Sequence, residues 1–388
     1  MMIKRRMRSF AAWLVLCLLI LWAGAVSVGA EDGEEHGTMP EEYGSFIDSL
    51  PDTVSDILPD GAESSDSDAV SDAAQRVSNP EYLLSVLGEL LEESVGRLLP
   101  TLSLLCGTVI LAAVMYLLGG CFAAGTNKTV ELCVRLSTYC VIAEVSVASL
   151  LHIEAYFQAL LSAVASFLPL SGVLYAMGGN LTAAASASAS LSVILAVCEF
   201  FCAKTVIPVF CVCLSLSMLS AFDGAGALVG QNLSGRIRKW YTTSLGFVMM
   251  LLTTALGAQS IITAKADGIA MRGVKLAVSG FVPISGGTVS STLGTMAASV
   301  ELIRGSVGVI GMISLLLMLL PVLLELAVMR GILSLAAFVA GMLGCGSEQR
   351  LLGELEGLYG YLEGVAVLAA AVFLIAMGIF ATTASAVG

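Results

Sequence analysis

From residue 98 onward the chain is a succession of apolar runs, broken by short stretches of charge or glycine. Runs at 98–122, 136–153, 155–178, 181–203, 205–222, 241–264, 305–328, 331–345 and 358–380 approach the length of about 20 residues that a helix needs to cross the hydrocarbon layer. Several are short. The Ala/Ser run at 183–192 is a weak spanning signal and suits close helix–helix contact. The pattern predicts an all-α, polytopic helical membrane protein with about seven to nine spans, residues 98–388 forming the multi-pass domain.

Ahead of these runs the pattern changes twice. Residues 1–30 read as a secretory signal peptide: Lys4, Arg5, Arg6 and Arg8 precede an apolar core from Phe10 to Trp22, and Val28-Gly-Ala30 supplies small residues for cleavage. An uncleaved anchor has the same consequence, that residue 31 onward is exported. Residues 31–97 then form an acidic segment. Tyr43, Phe46, Ile47 and Leu50 have helical spacing, as do Val54, Ile57 and Leu58, with Pro51 between the groups, so short docking helices are expected. Glu63–Asp72 reads as a linker too polar to offset its ordering entropy. At Asn79-Pro80 a helix start is written out, and an amphipathic helix follows over 80–97, with Leu83, Leu84, Leu87, Leu90 and Leu91 opposite Glu89, Glu92 and Glu93.

Composition agrees with the pattern. Of 388 residues 57% are hydrophobic and 12% charged, with a mean hydropathy of +0.93, which excludes an ordinary soluble domain. The net charge of −12 is local, because 18 of the 30 acidic residues fall between Glu31 and Glu93, against Arg76 as the one Lys or Arg there. No basic face with interleaved aromatics suggests nucleic acid. All ten cysteines lie in or beside apolar runs, so a disulfide framework in the exported part is not expected. Cys198-x3-Cys202 and Cys211-x-Cys213 read as small apolar thiols rather than a metal site, and no metal or cofactor is expected.

Basic residues near span ends set orientation. Arg236, Arg238 and Lys239, then Lys128 and Arg135, belong inside, which agrees with an exported residue 31; Arg330 then falls inside and the loop Glu348–Glu356 outside. Lys265, Arg272, Lys275 and Arg304 land on the outer side. That conflict suggests that 264–304 folds back into the protein.

Within that stretch Phe281-Val-Pro-Ile-Ser-Gly286 echoes Phe167-Leu-Pro-Leu-Ser-Gly172 at an offset of 114, with matching flanks Ala163–Ser166 and Ala277–Gly280. Ile207-Pro-Val209 and Leu320-Pro-Val322 extend the likeness at offset 113. Either two proline-kinked helices resemble each other by chance, or the chain holds a parallel internal repeat with halves near 128–222 and 236–345. Proline removes a donor and glycine relaxes the backbone, so each copy is expected to break a helix as a re-entrant segment. Pro169, Ser171, Gly172, Asp267, Arg272, Lys275, Pro283, Ser285 and Gly286 are the candidate conduit or docking motif.

Glu144, Glu199, Lys204 and Glu325 sit within or at the edge of spans, where a charge is expected to face the protein interior. Glu199 and Lys204 are five apart, beyond ideal helical pairing unless the helix is kinked. They read as interhelical glue, or as an ion relay. His152 and Glu154 do not make a metal site. No nucleotide-binding loop, nucleophile elbow or zinc-protease signature is present, so no enzymatic activity and no catalytic residue is expected.

Over Ala266-Asp-Gly-Ile-Ala-Met-Arg-Gly-Val-Lys-Leu-Ala-Val-Ser-Gly-Phe-Val-Pro-Ile-Ser-Gly286 the chain resembles the stage III sporulation protein AE family. Glu41-Glu-Tyr43, Met177-Gly-Gly179 and the signal-plus-polytopic layout are similar too. The resemblance implies a multi-pass component of the channel, or feeding tube, in the mother-cell membrane surrounding the forespore. It also implies partners among the other proteins of that stage III complex, alongside membrane lipids. A secondary transporter using the intramembrane carboxylates, and a scaffold recruiting partners through 31–97, remain the alternatives.

Overall fold

The computed structural model describes residues 39–59, 61–64, 66–77, 79–119, 124–177, 181–222, 233–258 and 286–382. Its elements are helical: α1 (Glu41–Asp48), α2 (Asp52–Ser55), α3 (Ser67–Val77), α4 (Pro80–Gly119), α5 (Ala124–Met177), α6 (Leu181–Cys198), a π-helical turn (Glu199–Thr205), α7 (Val206–Phe222), α8 (Leu233–Ala258), α9 (Gly286–Met342) and α10 (Gly346–Thr382). Among the described residues six helices are long and apolar enough to cross a membrane: Ser85–Leu118, Leu132–Met177, Ser188–Met218, Leu233–Ala258, Gly305–Met342 and Gly346–Gly378.

The lower count has one physical cause. The pairs 136–153/155–178, 181–203/205–222 and 305–328/331–345, expected as separate spans, are each one continuous helical rod. At every expected junction stands a polar side chain that reads as a loop signal but has a carboxylate beside it in the helical structure. His152 Nδ1 lies 3.8 Å from Glu325 of α9, Lys204 pairs with Glu199 at 2.8 Å, and Arg330 pairs with Glu363 of α10. At 1.5 Å per residue, the 54 residues of α5 reach about 80 Å, far beyond a hydrocarbon layer of about 30 Å. Much of its apolar surface is therefore covered by protein rather than lipid.

That cover is visible around α9. The apolar core of Gly305–Met342 is 83% buried, against 22–50% in the other five. α10 packs along it, α4 and α5 flank it, and α2 and α3 lie against it as well. Gly311 belongs to this seam: a Cβ there would stand 2.9 Å from Met377 Sδ of α10 and 3.8 Å from Phe167 of α5. α9 stops where Gly344 takes a φ of 78°, the left-handed conformation open to glycine, and Cys345 N–H returns to the Ala340 carbonyl at 2.9 Å.

The acidic segment is a folded cap. Tyr43, Phe46 and Ile47 bury one face of α1, as the spacing predicts, with Val54 buried in α2. Phe46 meets Phe167 of α5 edge-on at 5.6 Å, and Ser49 Oγ lies 2.6 Å from Ser166 Oγ. The Tyr43 hydroxyl donates to the Ala62 carbonyl at 2.5 Å and the Tyr82 hydroxyl to that of Ile57. The linker expected at Glu63–Asp72 is replaced by α3 from Ser67 onward. Val70, Ala73 and Ala74 sit three to four residues apart, form a buried face against α9, and turn Asp68 and Asp72 to solvent. A polar composition hid a narrow apolar stripe.

Candidate functional site

The long helices are held together by a layer of charged and phenolic side chains, and α10 supplies most of its acids. At the start of α10, Glu348 is 2% exposed. It accepts from the Tyr116 hydroxyl of α4 at 2.5 Å and from the Ser347 hydroxyl at 2.7 Å, and Arg135 of α5 reaches the same Tyr116 hydroxyl. Two turns on, Glu354 receives Arg238 of α8 at 3.0 Å, with side chains 23% and 15% exposed. Further along, Glu363 receives Arg330 of α9. Three carboxylates on one helix thus engage three other helices.

Glycine makes room for the guanidinium groups. A Cβ on Gly357 would run into Arg238 Nη1, and one on Gly360 would stand 3.2 Å from Arg330 Cζ. The tyrosines between pack edge-on, Tyr359 on Phe210 of α7 at 6.1 Å and Tyr361 on Tyr241 of α8 at 5.6 Å. The sequence signal for this layer was the run Glu354-Leu-Glu-Gly-Leu-Tyr-Gly-Tyr-Leu-Glu363, which alternates acids, glycines and tyrosines inside an apolar segment. The orientation argument had assigned Glu348–Glu356 to the side opposite the basic clusters. The structure corrects this, because Glu348 and Glu354 meet Arg135 and Arg238 at one end of the bundle. With α9 a single rod, one fewer crossing returns the loop to the basic end.

The π-helical turn answers the question posed by Glu199 and Lys204. Widening one turn so that hydrogen bonds run from i to i+5 brings residues five apart over each other, and Lys204 Nζ lies 2.8 Å from Glu199 Oε1. Pro208 follows directly and has no N–H to give the turn before it. Two carbonyls of the turn also receive side-chain donors: Thr205 Oγ1 donates to the Phe200 carbonyl at 2.6 Å, and the Tyr241 hydroxyl to that of Phe201 at 2.5 Å.

Of the four span charges expected to face inward, Glu325 is partly buried at 20% exposure. Glu144 is exposed, and Glu199 and Lys204 are 49% and 68% exposed. A long α-helix offers an outer face at every depth, and these three occupy it. The first copy of the proline motif does not break its helix. Pro169 lies exposed inside continuous α5, Ser171 is fully buried and returns its hydroxyl to the Leu168 carbonyl at 2.8 Å, and Gly172 faces Ser188 of α6. These residues pack within the bundle, and Phe167 beside them receives the cap. Asp267, Arg272, Lys275, Pro283 and Ser285 lie outside the described residues, as does 264–285 of the fold-back expected at 264–304; its remainder, 286–304, is the start of α9, with Gly286 the first residue. Among the described residues no cluster of three or more His, Cys, Asp or Glu has metal-binding geometry.

Among the described residues, six helices of spanning length and apolar character, three of them joined by the Arg238–Glu354 and Arg330–Glu363 pairs, have the make-up of a multi-pass helical membrane protein. No curated protein and no solved structure matches the chain. The chain belongs to the stage III sporulation protein AE family, whose family model matches residues 71–384. Membership gives it a role in sporulation.

Proposed function

We propose that this protein is a non-enzymatic membrane component of the channel complex that joins mother cell and forespore during endospore formation. It resides in the mother-cell membrane around the forespore, with the 31–97 segment exported toward its partners. The observation that carries the reading is the family match over residues 71–384, borne on helices fit to span a bilayer. The cap supports it: Glu41, Asp48, Asp52, Asp56, Glu63, Asp66, Asp68 and Asp72 are all exposed while its apolar face is spent on α5 and α9. Such a surface suits basic protein partners.

The test is purification of the intact full-length protein from sporulating cells under mild solubilisation. Co-purification of other stage III proteins, lost on reversing four of the cap carboxylates, is the expected result. Recovery of the chain alone under conditions that keep other membrane complexes intact overturns the reading. The transporter alternative draws on interior charge, and Glu325 with His152 is its remaining support; exposed Glu144 and Glu199 count against a shared interior ion site. Glu325→Gln is expected to leave sporulation intact in a channel component and to abolish it in an ion-coupled permease.

A further inference from the structure

The outer face of α6 carries a pattern that the bundle does not use. Ala185, Ala189, Ser192, Val193 and Ala196 are exposed, and the stripe ends in Glu199, Phe200 and Lys204, also exposed. The buried face of α6, marked by Leu191, Ile194 and Cys198, turns into the bundle, and Ser188 at the border of the stripe lies 3.3 Å from the Cβ position of Gly172 of α5. A stripe of small residues lets a second helix approach closely. More telling is the ion pair at its end. It lies within the candidate span Ser188–Met218, more than half exposed at Lys204, and among the described residues each of the two charges has the other as its ion-pair partner. A charge facing lipid at that depth costs at least about 2.5 kcal/mol even on insertion scales, so this face is not built for lipid.

We infer that the α6 stripe is a self-association surface whose occupant is the same stripe of a second copy of this chain. The argument is charge complementarity with itself. The π-turn brings the Glu199 carboxylate and the Lys204 ammonium within 2.8 Å, so both charges sit at one depth. A two-fold axis along the membrane normal preserves depth. It sets the Glu199 of each copy against the Lys204 of the other and closes a ring of four alternating charges. An ordinary α-turn would point the two side chains in different directions and leave no such set. The π-turn, fixed by Pro208 and by the Tyr241 hydroxyl, therefore has a use beyond accommodating a proline. Ala189 and Ala196 leave the backbones free to close around the quartet.

The experiment uses full-length protein in lipid nanodiscs or vesicles, with a photo-crosslinking amino acid placed in turn at Ala189, Ala196 and, as a control on another exposed apolar face, Leu111. Irradiation is expected to give covalent dimers from Ala189 and Ala196 and not from Leu111. Glu199→Lys should lower dimer yield by about tenfold or more, and so should Lys204→Glu. The double swap, which restores the quartet in reverse, should recover it. The swap also restores the fold's own ion pair, so the deciding arm mixes the two single variants: Glu199→Lys copies and Lys204→Glu copies should crosslink to each other although each copy's own pair stays broken, and no mixed crosslink would overturn the proposal. Crosslinks only to lipid, equal yield from Leu111, crosslinks in sporulating cells to a different protein alone, or single charge reversals without effect would each overturn the proposal.

Discussion

Replacing Glu354 with Gln removes one charge from a pair that joins α8 to α10 and leaves the other in place. Arg238 has nowhere to turn: its side chain is 15% exposed, its Nη1 also reaches the Glu354 carbonyl at 3.5 Å, and it lies across Gly357. Stranding one partner of a buried pair costs roughly 3–5 kcal/mol, and partial exposure places this case near the lower end, about 3 kcal/mol. Arg238→Met leaves Glu354, 23% exposed, with better access to water, so about 2 kcal/mol is expected. Replacing both, Arg238→Met with Glu354→Leu, removes the charge and keeps the volume over Gly357, so the double variant should unfold within about 1 kcal/mol of the parent. The measurement is equilibrium unfolding in nanodiscs, repeated at high salt, where a buried pair is little screened. If Glu354→Gln costs under about 1 kcal/mol, the range of surface pairs, or if the two single losses simply add in the double variant, the layer is not the lock described.

Other consequences are simpler to read. A short epitope inserted in the Leu343–Gly344 turn should be reached from the same membrane face as one placed just before Leu233, because Glu354 and Arg238 meet; opposite faces would reject the bundle's direction of travel. Pro169→Ala should leave stability unchanged or raised by up to about 3 kcal/mol, since Pro169 sits inside a continuous helix and lacks the N–H that a helix interior uses; loss of the folded protein would show that the proline is required there. Phe46→Ala empties a fully buried site against Phe167 and should cost about 3–5 kcal/mol of cap docking, seen as protease cleavage within 39–77 while the helices stay resistant. Burial and then the nearby Glu348 push the Cys345 thiol above its ordinary range, so its thiolate fraction at pH 8 falls below that of an open cysteine. Maleimide should modify Cys345 well after a cysteine placed by Asp52→Cys on the exposed cap, and Glu348→Gln should narrow the gap.

What the chain's pattern disclosed and what it hid divide along a physical line. Helical class, the short cap helices and the start at Pro80 follow from spacing within one segment, where Tyr43, Phe46 and Ile47 can be read without knowing their neighbours. The span count depended on the meaning of single charges, and that is decided by another helix. Arg330 looks like a loop residue until Glu363 is beside it, and His152 until Glu325 is. α3 was lost for the related reason that Val70, Ala73 and Ala74 are apolar enough only because α9 offers them a dry surface. The five-residue spacing of Glu199 and Lys204 did contain the answer, since pairing at that interval needs a widened turn, and Pro208 nearby supplies the reason for one.

The two ends of α5 and α9 then bear on each other. Cap and ion-pair layer share these rods: Phe167 of α5 holds Phe46 and also borders Gly311 of α9, while lower on the same helices His152 and Arg330 hold Glu325 and Glu363. A helix bends sharply where a proline or similar break stands; α5 has none between His152 and Phe167, whereas α9 carries Pro321 between Gly311 and Arg330. A partner pulling on the acidic cap therefore acts first through α5 as a rod, and the contacts it loads are those that fix α5 against α9 and α9 against α10. If that is the working of the molecule, releasing the lock by Glu363→Gln should alter protease sensitivity of the cap, although Phe46 and Glu363 do not touch. Phe46→Ala should reciprocally speed exchange of amides near Arg330. Independence of the two ends in both experiments would mean that cap and bundle merely adjoin.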